Sequence, residues 1–355
     1  MYAHNMDLTI GIIADVQYAD IDDTWNFNHS HKRRYRSTIK SLRNAVDRWL
    51  NTPDLRLVVD LGDAIDGFRN TDKDMGMHAL GQIMSEWDRL NSSGNATPII
   101  HLLGNHELYK FTRSELIKGV QASSFRCSPP DSLVDSVDLQ NSIYYSFLIP
   151  GSTTWRAIVL DPYEESVMRD GGGRIGYELT VENGGLNKKF TSLCQDNNPN
   201  DILKGSNYFA GVQGVGARWC PFNGGLGEKQ LAWLEQVLCR SVENCENVII
   251  FTHVIIHPEA TPGGNCHTIL WDYDKILKLI EKHDCVKFVF AGHAHHQGYF
   301  LCPKSKVHHV TIASPLEAAD ENVENTFATL KILINENKAI LIGSGSVPTL
   351  ELCYR

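Results

Sequence analysis

Residues 98–107 read PIIHLLGNHE, a short apolar run that ends in Gly104, Asn105, His106 and Glu107. An aliphatic run of this length, stopped by a glycine, predicts a buried β-strand. Ligand sites of open α/β sheets lie beyond the carboxyl ends of their strands. This stretch therefore predicts a strand and, directly after it, candidate side chains of a ligand site.

Four more segments of the sequence repeat this arrangement. The apolar runs cover residues 8–14, 55–61, 248–252 and 286–291. The polar side chains that follow them, in the same order, are Asp15 with Gln17, Asp63, His253, and His293 with His295. Taken singly, each is more often a core or turn residue than a ligand. Five such strand ends in this order predict one shared polynuclear metal site.

The remaining apolar segments predict a mixed architecture. Residues 143–148 and 155–160 flank a Pro-Gly turn and predict a β-hairpin, and later strands are predicted at 307–313, 327–334 and 339–342. Helical spacing predicts three helices, marked by Ile39, Leu42, Val46 and Trp49, by Leu226, Leu231, Leu234 and Leu238, and by Tyr273, Ile276, Leu277 and Ile280. Strands that alternate with helices early and follow one another late indicate an α/β fold with mixed sheets.

Residues 163–227 differ from the rest of the chain. Gly and Asn are frequent, with Gly171, Gly172 and Gly173 in a row, and the hydrophobic periodicity is weak. A loop of this length inside a compact domain is usually functional or mobile. We therefore interpret the segment as an insertion that forms part of a ligand pocket.

The composition limits the classes of partner. The 355 residues include 33 Lys and Arg against 42 Asp and Glu, a formal charge of −9, which argues against a nucleic-acid-binding protein. No run of 18 apolar residues is present, so no membrane-spanning helix is expected, and the N-terminus lacks the pattern of a secretory signal. Nine scattered cysteines without a C-x-x-C pair predict reduced thiols. We expect a cytoplasmic monomer that acts on small molecules.

The predicted ligand set indicates the metal and the reaction. Nitrogen and oxygen ligands without a thiolate suit Mn²⁺, Fe, Co²⁺ or Zn²⁺ better than Ca²⁺. Two such ions about 3.5–4 Å apart can clamp the attacking and leaving oxygens of a phosphoryl group, with a bridging hydroxide as nucleophile. One aspartate between the ions would hold this spacing, and Asp63 is the candidate for it.

The five strand ends resemble the signature of the calcineurin-like metallophosphoesterase superfamily. In this sequence its parts are Asp15-Val16-Gln17, Gly62-Asp63, Gly104-Asn105-His106-Glu107, His253 and Gly292-His293-Ala294-His295. The resemblance spans most of the chain and implies a four-layer αββα sandwich with two mixed β-sheets. Gln17 stands where most members have His, and its harder carbonyl oxygen favours Mn²⁺. Purple acid phosphatases have a tyrosine where this chain has Asp66, which argues against that branch.

Further segments resemble the manganese-dependent ADP-ribose/CDP-alcohol diphosphatase family. They are ADVQYAD at 14–20, KRRY at 32–35, FNGG at 222–225 and QLAWL at 230–234. This resemblance implies one domain over residues 1–355 and two divalent ions, Mn²⁺ first, with Zn²⁺ and Fe²⁺ as alternatives. It also implies hydrolysis of the pyrophosphate bond of ADP-ribose, CDP-choline and CDP-glycerol to AMP or CMP and a phosphorylated product.

The superfamily pattern implies a role for each site residue. The first metal would take Asp15, Gln17, Asp63 and His295, and the second Asp63, Asn105, His253 and His293. His106 would stabilise the transition state or protonate the leaving oxygen, because imidazole titrates near neutral pH. Glu107 would orient His106, and a purely structural role is the alternative.

Candidate substrate contacts follow the first metal loop. Phe27 would stack on the base, since aromatic stacking accepts both adenine and cytosine. Lys32, Arg33 and Arg34 are candidates to meet the second phosphate or the ribose phosphate. We expect at least one of the three cations to be solvated instead.

Other candidate substrate contacts lie late in the sequence. Phe222 and Asn223, at the end of the insertion, would close over the substrate. Cys266 would line the nucleoside side of the pocket, or be a buried inert thiol. The histidines that match no signature position are interpreted as structural; these are His257, His296, His308 and His309.

Two other classes of function remain open from the sequence. The same scaffold suits a phosphomonoesterase or a cyclic-nucleotide phosphodiesterase, because the walls of the pocket, and not the metals, select among these substrates. A non-catalytic scaffold is the third hypothesis, and the presence of Asn105 and His106 argues against it.

Overall fold

Two six-stranded mixed sheets lie at the centre of the protein. The computed structural model describes residues 7–26, 28–69, 72–91, 97–120, 125–136, 142–171, 174–175, 178–179, 186–203 and 207–355. Within them the strands are β1 (Leu8–Ile13), β2 (Thr24–Trp25), β3 (Lys32–Arg33), β4 (Leu55–Asp60), β5 (Ile99–His101), β6 (Tyr145–Leu148), β7 (Trp155–Val159), β8 (Glu165–Ser166), β9 (Arg174–Ile175), β10 (Glu178–Leu179), β11 (Gly224–Gly225), β12 (Asn247–Phe251), β13 (Val286–Ala291), β14 (Gly298–Leu301), β15 (His308–Thr311), β16 (Phe327–Leu333), β17 (Lys338–Ser344) and β18 (Leu350–Cys353). The α-helices are α1 (Thr38–Leu50), α2 (Lys73–Asn91), α3 (Asn105–Lys110), α4 (Arg113–Lys118), α5 (Lys188–Asn197), α6 (Gly227–Glu243) and α7 (Tyr273–Lys282). Short 3₁₀ helices cover Asp131–Ser136, Gly214–Arg218, Pro258–Ala260, Pro262–Gly264, Cys266–Thr268 and Ile334–Glu336.

Each large sheet combines parallel and antiparallel pairs. The first sheet has the order β18-β17-β16-β1-β4-β5, and the second has the order β14-β15-β13-β12-β7-β6. In the first sheet β1, β4 and β5 are parallel, and β16, β17 and β18 add antiparallel pairs. In the second sheet β7, β12, β13 and β15 are parallel, and β6 and β7 form the predicted hairpin. The predicted mixed sheets are confirmed.

Strand β1 shows how the sequence places the two sheets face to face. Side chains alternate across a strand, and Leu8, Ile10 and Ile12 are fully buried in the core between the sheets. Trp155 of β7 and Phe288 of β13 reach the same core from the second sheet, where their rings stack at 5.8 Å. Apolar side chains of the two sheets therefore meet in one central layer, as in a β-sandwich.

Helices cover the outer face of each sheet. Helix α1 lies against β1 and β16 of the first sheet, and its Trp49 stacks on Trp87 of α2 at 6.1 Å. On the second sheet, Ile250 of β12 is buried in a cluster with Leu234 of α6 and Ile276 of α7. The predicted four-layer αββα sandwich is confirmed. None of the helices in the described residues combines the length and the apolarity that crossing a bilayer requires.

Several elements differ from the prediction. Helix α2 and strands β14 and β18 are additional, and α5 lies inside the segment 163–227 that the sequence predicts as a loop. Helix α5 begins after its N-cap Asn187 and buries only Phe190 and Cys194, which are too few apolar residues to give a helical period. Leu226, predicted as part of a helical face, is the N-cap of α6 instead.

Gly11 of β1 faces Trp49, and we expect Gly11→Ala to destabilise the protein. A Cβ at this position would lie 2.5 Å from Trp49 Cε2, and the indole is fixed because it donates to Thr329 Oγ1 at 3.1 Å. Overpacking of this kind lowers the free energy of unfolding by about 1–3 kcal/mol, as urea denaturation would measure.

Gly81→Ala in α2 is the matched control for this substitution. No described atom lies within 4 Å of a Cβ built at Gly81, so the added methyl group meets open space. We expect this variant to gain about 0.5–1 kcal/mol, because alanine suits a helix interior better than glycine. Equal changes in the two variants would contradict the packing described for β1.

Candidate metal centre

The carboxylate of Asp63 lies in the middle of a buried group of polar side chains. Asp63 follows β4 and is 1% exposed. Its Oδ2 lies 3.4 Å from His253 Nε2 and accepts from Gln17 Nε2 at 3.0 Å, while its Oδ1 accepts from the backbone N–H of His106 at 2.8 Å. Asp63 therefore contacts residues from three other strand ends, as a ligand shared by two metal ions must.

Two predicted ligands lie beside His253. His253 Nε2 is 3.3 Å from Asn105 Oδ1 and 3.1 Å from His293 Nδ1. These residues come from both sheets, because Asn105 follows β5 while His253 and His293 follow β12 and β13. Together with Asp63 they form the set that the family resemblance implies for the second metal.

The other predicted ligands lie around His295. Its Nε2 is 2.9 Å from Gln17 Nε2 and 3.8 Å from Asp15 Oδ1. The Asp15 carboxylate also accepts from the backbone N–H of His293 at 2.9 Å, which joins this set to the one beside His253. The structure thus brings all seven predicted ligands together at one seam between the sheets.

Five of the seven residues leave their strands in the left-handed region of backbone space. The φ angles are 51° for Asp15, 41° for Gln17, 56° for Asp63, 69° for His293 and 61° for His295. Such angles cost a non-glycine residue about 1–3 kcal/mol and persist only where the surroundings hold them. A backbone hydrogen bond from Gln17 N to Asp63 O, 2.8 Å long, holds two of these turns to each other. Clustered strain of this kind is typical of functional sites.

Each of the three histidines is fixed through the ring nitrogen that faces away from the group. The acceptors are Leu61 O for His253 Nδ1 (2.8 Å), Asn223 Oδ1 for His293 Nε2 (2.9 Å) and Glu317 Oε1 for His295 Nδ1 (3.0 Å). Since these oxygens can only accept, the outer nitrogens carry the protons of the neutral rings. The inner nitrogens therefore face the group with lone pairs, and outer partners of this kind orient the histidines of metal sites.

Two tyrosines fix the amide of Asn105. Its Nδ2 donates to Tyr109 OH at 2.9 Å, and its Oδ1 accepts from Tyr163 OH at 3.2 Å. Both tyrosines are buried, and burial raises the pKa of Tyr163 well above its usual value, so the phenol keeps its proton. The amide oxygen of Asn105 is therefore directed at His253.

The contacts of Glu107 fit the structural alternative and not a residue that orients His106. Its carboxylate accepts from the backbone N–H groups of Asp63 (3.0 Å), Ala64 (2.8 Å) and Gly104 (2.9 Å), and not from the ring of His106. Burial raises the pKa of Glu107 to about 8, and the nearby Asp63 adds to the rise while its N–H opposes it. Glu107 therefore shapes the loop that carries Asp63.

His106 takes a defined tautomer through another partner. Its Nδ1 accepts from the backbone N–H of Gly67 at 3.1 Å, so the proton of the neutral ring is on Nε2. This nitrogen lies 4.0 Å from Asp63 Oδ2. Burial lowers the pKa of His106, which favours the neutral ring. His106 therefore presents an N–H donor to the group of ligands.

Two buried carboxylates, those of Asp15 and Asp63, lie close together and favour the binding of positive charge. Burial raises the pKa of Asp15 to about 6, although His253 and His295 act in the opposite direction. Burial also opposes ionisation of Asp63, but His253 and His106 outweigh it and hold the pKa of Asp63 below its usual range. Burial acts to lower the pKa of His253, yet Asp63 and Asp15 raise it to about 10. With no cation bound, a proton on His253 Nε2 supplies one positive charge; a divalent cation would replace this proton and supply more.

The group offers the ligand atoms that a pair of divalent ions needs. Two carboxylates, two amides and three imidazoles converge, a set that suits Mn²⁺, Fe²⁺, Co²⁺ and Zn²⁺. In the described part of the chain, the buried Gln17 Oε1 has no hydrogen-bond partner. Half a turn about the last side-chain bond exchanges the amide oxygen and nitrogen, which would place the oxygen among the ligand atoms. The residues therefore fit the implied metal pair.

Comparisons with known proteins agree with this geometry. The family model described as calcineurin-like phosphoesterase matches residues 8–297. The chain belongs to this family. Two curated relatives are named manganese-dependent ADP-ribose/CDP-alcohol diphosphatase. The Arabidopsis thaliana relative is 32% identical over 336 residues, which cover 95% of this chain and 94% of the relative. The Homo sapiens relative is 31% identical over 349 residues, which cover 98% of this chain and 93% of the relative. This calcineurin-like phosphoesterase is therefore also a member of that family of hydrolases.

Solved structures agree with the assignment to the calcineurin-like phosphoesterases. A dimetal phosphatase from Danio rerio is 31% identical and superposes with a TM-score of 0.78, with 98% of this chain and 99% of that chain covered. A purple acid phosphatase from yellow lupin reaches a TM-score of 0.50 at 12% identity, with 98% of this chain and 54% of that chain covered. The second likeness concerns the fold alone.

The predicted cationic contacts of this phosphoesterase lie in ion pairs. The pairs are Lys32 with Asp23 (2.9 Å), Arg33 with Glu317 (2.8 Å) and Arg34 with Asp320 (2.5 Å). Arg33 thus supports the carboxylate that fixes His295. Cys266 is partly exposed, with its Sγ 3.6 Å from Gly264 O. Phe27 lies outside the described residues.

Asn223 corrects another prediction. It is fully buried, and besides accepting from His293 it donates to Arg218 O at 2.9 Å and to His267 O at 2.8 Å. Asn223 therefore positions a ligand and does not close over a substrate. Phe222 remains partly exposed, with its ring 5.8 Å from that of His293, as a residue at the mouth of the site would be.

Three residues that fix the ligands are not predicted from the sequence. Glu317 and Tyr163 follow β15 and β7, two strands that the signature does not include. A search of every strand end would have found them. Tyr109 lies four residues after Asn105, the spacing that brings two side chains together on a helix.

We expect Tyr163→Phe to weaken Mn²⁺ binding about tenfold, the usual order for loss of an outer partner of a ligand. The ring stays in place, and only the O–H that donates to Asn105 Oδ1 is removed. Tyr145→Phe is the matched control, because the buried Tyr145 OH has no partner in the described residues. Titration calorimetry would measure both, and equal Mn²⁺ affinities would contradict the role of Tyr163.

Proposed function

We propose that this chain hydrolyses the pyrophosphate bond of ADP-ribose and of CDP-alcohols such as CDP-choline and CDP-glycerol. The products would be AMP or CMP and a phosphorylated partner. The observation that carries the proposal is the convergence of seven metal-type side chains, Asp63 among them, from both sheets. The names of the relatives, which specify manganese, ADP-ribose and CDP-alcohol, support it.

A pair of Mn²⁺ ions is the proposed cofactor. One ion would be held by Asp15, Gln17, Asp63 and His295, and the other by Asp63, Asn105, His253 and His293. When bound, such a pair polarises a phosphoryl group and activates water. Zn²⁺ and Fe²⁺ suit the same ligands.

His106 is the proposed hydrogen-bond donor to the phosphoryl group. Gly67 N–H donates to its Nδ1, so the proton of the neutral ring is on Nε2, on the side of Asp63. A donor placed there can hydrogen-bond a phosphoryl oxygen on which charge develops. Of the two roles expected for His106, this is the one that a neutral ring can fill, because protonation of the leaving oxygen needs the imidazolium form, and burial lowers the pKa of His106.

The proposed substrate pocket adjoins His295. A cavity of about 420 Å³ is lined there by Trp25, Lys32, Arg34 and other residues, a volume in the range of small-molecule sites. Phe222 lies near His293. The segment 163–227, which carries Phe222, would then form one wall of the pocket inside a single domain over residues 1–355.

The cytoplasm is the proposed location, and a monomer the proposed state. All nine cysteines are free thiols, as in most cytosolic proteins. Small-molecule substrates agree with the net charge of −9, which disfavours a polyanionic partner.

The substrate class is tested with the purified protein and Mn²⁺. We expect AMP from ADP-ribose and CMP from CDP-choline, at higher kcat/KM than hydrolysis of p-nitrophenyl phosphate or cyclic AMP, because the pocket extends beyond one phosphate. Faster hydrolysis of either comparison substrate would favour a phosphomonoesterase or a cyclic-nucleotide phosphodiesterase. No product in the presence of two bound ions would favour the non-catalytic scaffold.

His106→Ala separates catalysis from metal binding. Because His106 would act on the phosphoryl group, we expect its loss to lower kcat by about 10²–10⁴ with unchanged Mn²⁺ content. His253→Ala should lose both turnover and metal, since His253 is a proposed ligand. His78→Ala, on the exposed face of α2, is the control and should keep both. An unaltered kcat in H106A would exclude the proposed donor.

A further inference from the structure

The cavity beside His295 contains a second group of metal-type side chains. His31, His296 and Glu317 each offer one ligand atom, and these atoms all lie within 4.8 Å of one another. None of the three is among the seven ligands of the metal centre. His31 precedes β3, His296 follows the Gly292–His295 motif, and Glu317 follows β15.

The carboxylate of Glu317 directs one oxygen to the metal centre and the other to the cavity. Its Oε1 serves the metal centre, where it accepts from His295 Nδ1 at 3.0 Å and from Arg33 Nε at 2.8 Å. Its Oε2 faces the cavity, 3.6 Å from His296 Nε2 and 3.3 Å from Asn26 Nδ2. The second oxygen is therefore placed to bind a ligand of its own.

The two imidazoles have the geometry of converging ligands. Their ring centroids are 4.4 Å apart and their planes are inclined at 51°, so the rings do not stack flat on each other. His31 Nδ1 contacts Ser30 Oγ at 2.9 Å, so Nε2 is the ring nitrogen that remains for a ligand. His31 is exposed, whereas Glu317 is 8% exposed, so a solvent ion would reach the buried carboxylate past the histidines.

The cations around the cavity are each matched by a carboxylate. Lys32 is paired with Asp23, Arg33 with Glu317 and Arg34 with Asp320. Their repulsion of a third cation is therefore reduced. Arg33 contacts the oxygen of Glu317 that serves His295, and not the one that faces the histidines.

We propose that His31, His296 and Glu317 form a third cation site, selective for zinc-class ions such as Zn²⁺ and Co²⁺. Two imidazoles and one carboxylate are a ligand set that proteins use for zinc with an open fourth position. Nitrogen ligands favour Zn²⁺ and Co²⁺ over Mn²⁺ in the order of divalent affinities. The site differs from the metal centre in composition, because it has fewer oxygens and no bridging aspartate. Glu317 connects the two sites, one oxygen to each.

The test counts ions in the full-length protein saturated with Mn²⁺ and then dialysed against Zn²⁺. Total metal, Mn²⁺ plus Zn²⁺, is measured by elemental analysis, so exchange of one ion for the other does not alter the count. We expect the double variant H31A/H296A to hold one ion per chain fewer than the unaltered protein. His29→Ala, on the same loop, is the control and should keep the full count. Equal counts in the unaltered protein and in H31A/H296A would overturn the proposal.

Anomalous scattering at the zinc edge locates the ion independently of any activity. Crystals of the Mn²⁺-loaded protein soaked in Zn²⁺ should give a peak between His31, His296 and Glu317. Zinc found only among the seven ligands of the metal centre, or elsewhere on the surface, would overturn the proposal. Neither measurement depends on hydrolysis of a diphosphate, so failure here and failure of the proposed function are distinguishable.

Discussion

The backbone turns at the strand ends determine where the polar side chains of the site meet. Five of the proposed ligands have left-handed φ angles there, between 41° and 69°. A chain that left these strands in the ordinary extended direction would carry the same side chains past the seam between the sheets. The turns cost conformational free energy, of order 1–3 kcal/mol each. The packing of the two sheets must therefore offset this cost. The central apolar layer therefore stabilises the site as well as the fold.

Around these turns, outer partners fix four of the seven proposed ligands, and most of these partners come from distant segments. Leu61 O, Asn223, Glu317, Tyr109 and Tyr163 each hold one ligand side chain, and Glu107 holds the loop of Asp63 through three N–H groups. Asn223 comes from the segment 163–227, which thus contributes to the geometry of the metal centre. This arrangement explains how a site built from many separate strands can still be preorganised.

The sequence identifies the residues that meet at the proposed metal centre better than the residues that hold them there. Apolar runs with polar ends are local signals, so Asp15, Asp63 and His253 can be recognised from the chain alone. Asn223 and Arg33 look like equally good pocket residues in sequence, but their partners, His293 and Glu317, lie far away along the chain. Helix α5 escapes prediction for a similar reason, because only two of its side chains are buried. Contacts between remote segments leave no mark on local periodicity.

The pairing of β1 with β16 has a consequence for how the polypeptide matures. Leu8 lies opposite Ile332, so the sheet that carries Asp15, Gln17 and Asp63 cannot close until nearly all of the chain has left the ribosome. At ordinary elongation rates roughly half a minute passes between the synthesis of β1 and that of β16. During this time one hydrogen-bonding edge of β1 is unpaired and accessible to other strands. This edge of β1 is therefore unpaired throughout most of translation, and a premature stop codon even shortly before β16 would release a product whose first sheet is permanently incomplete.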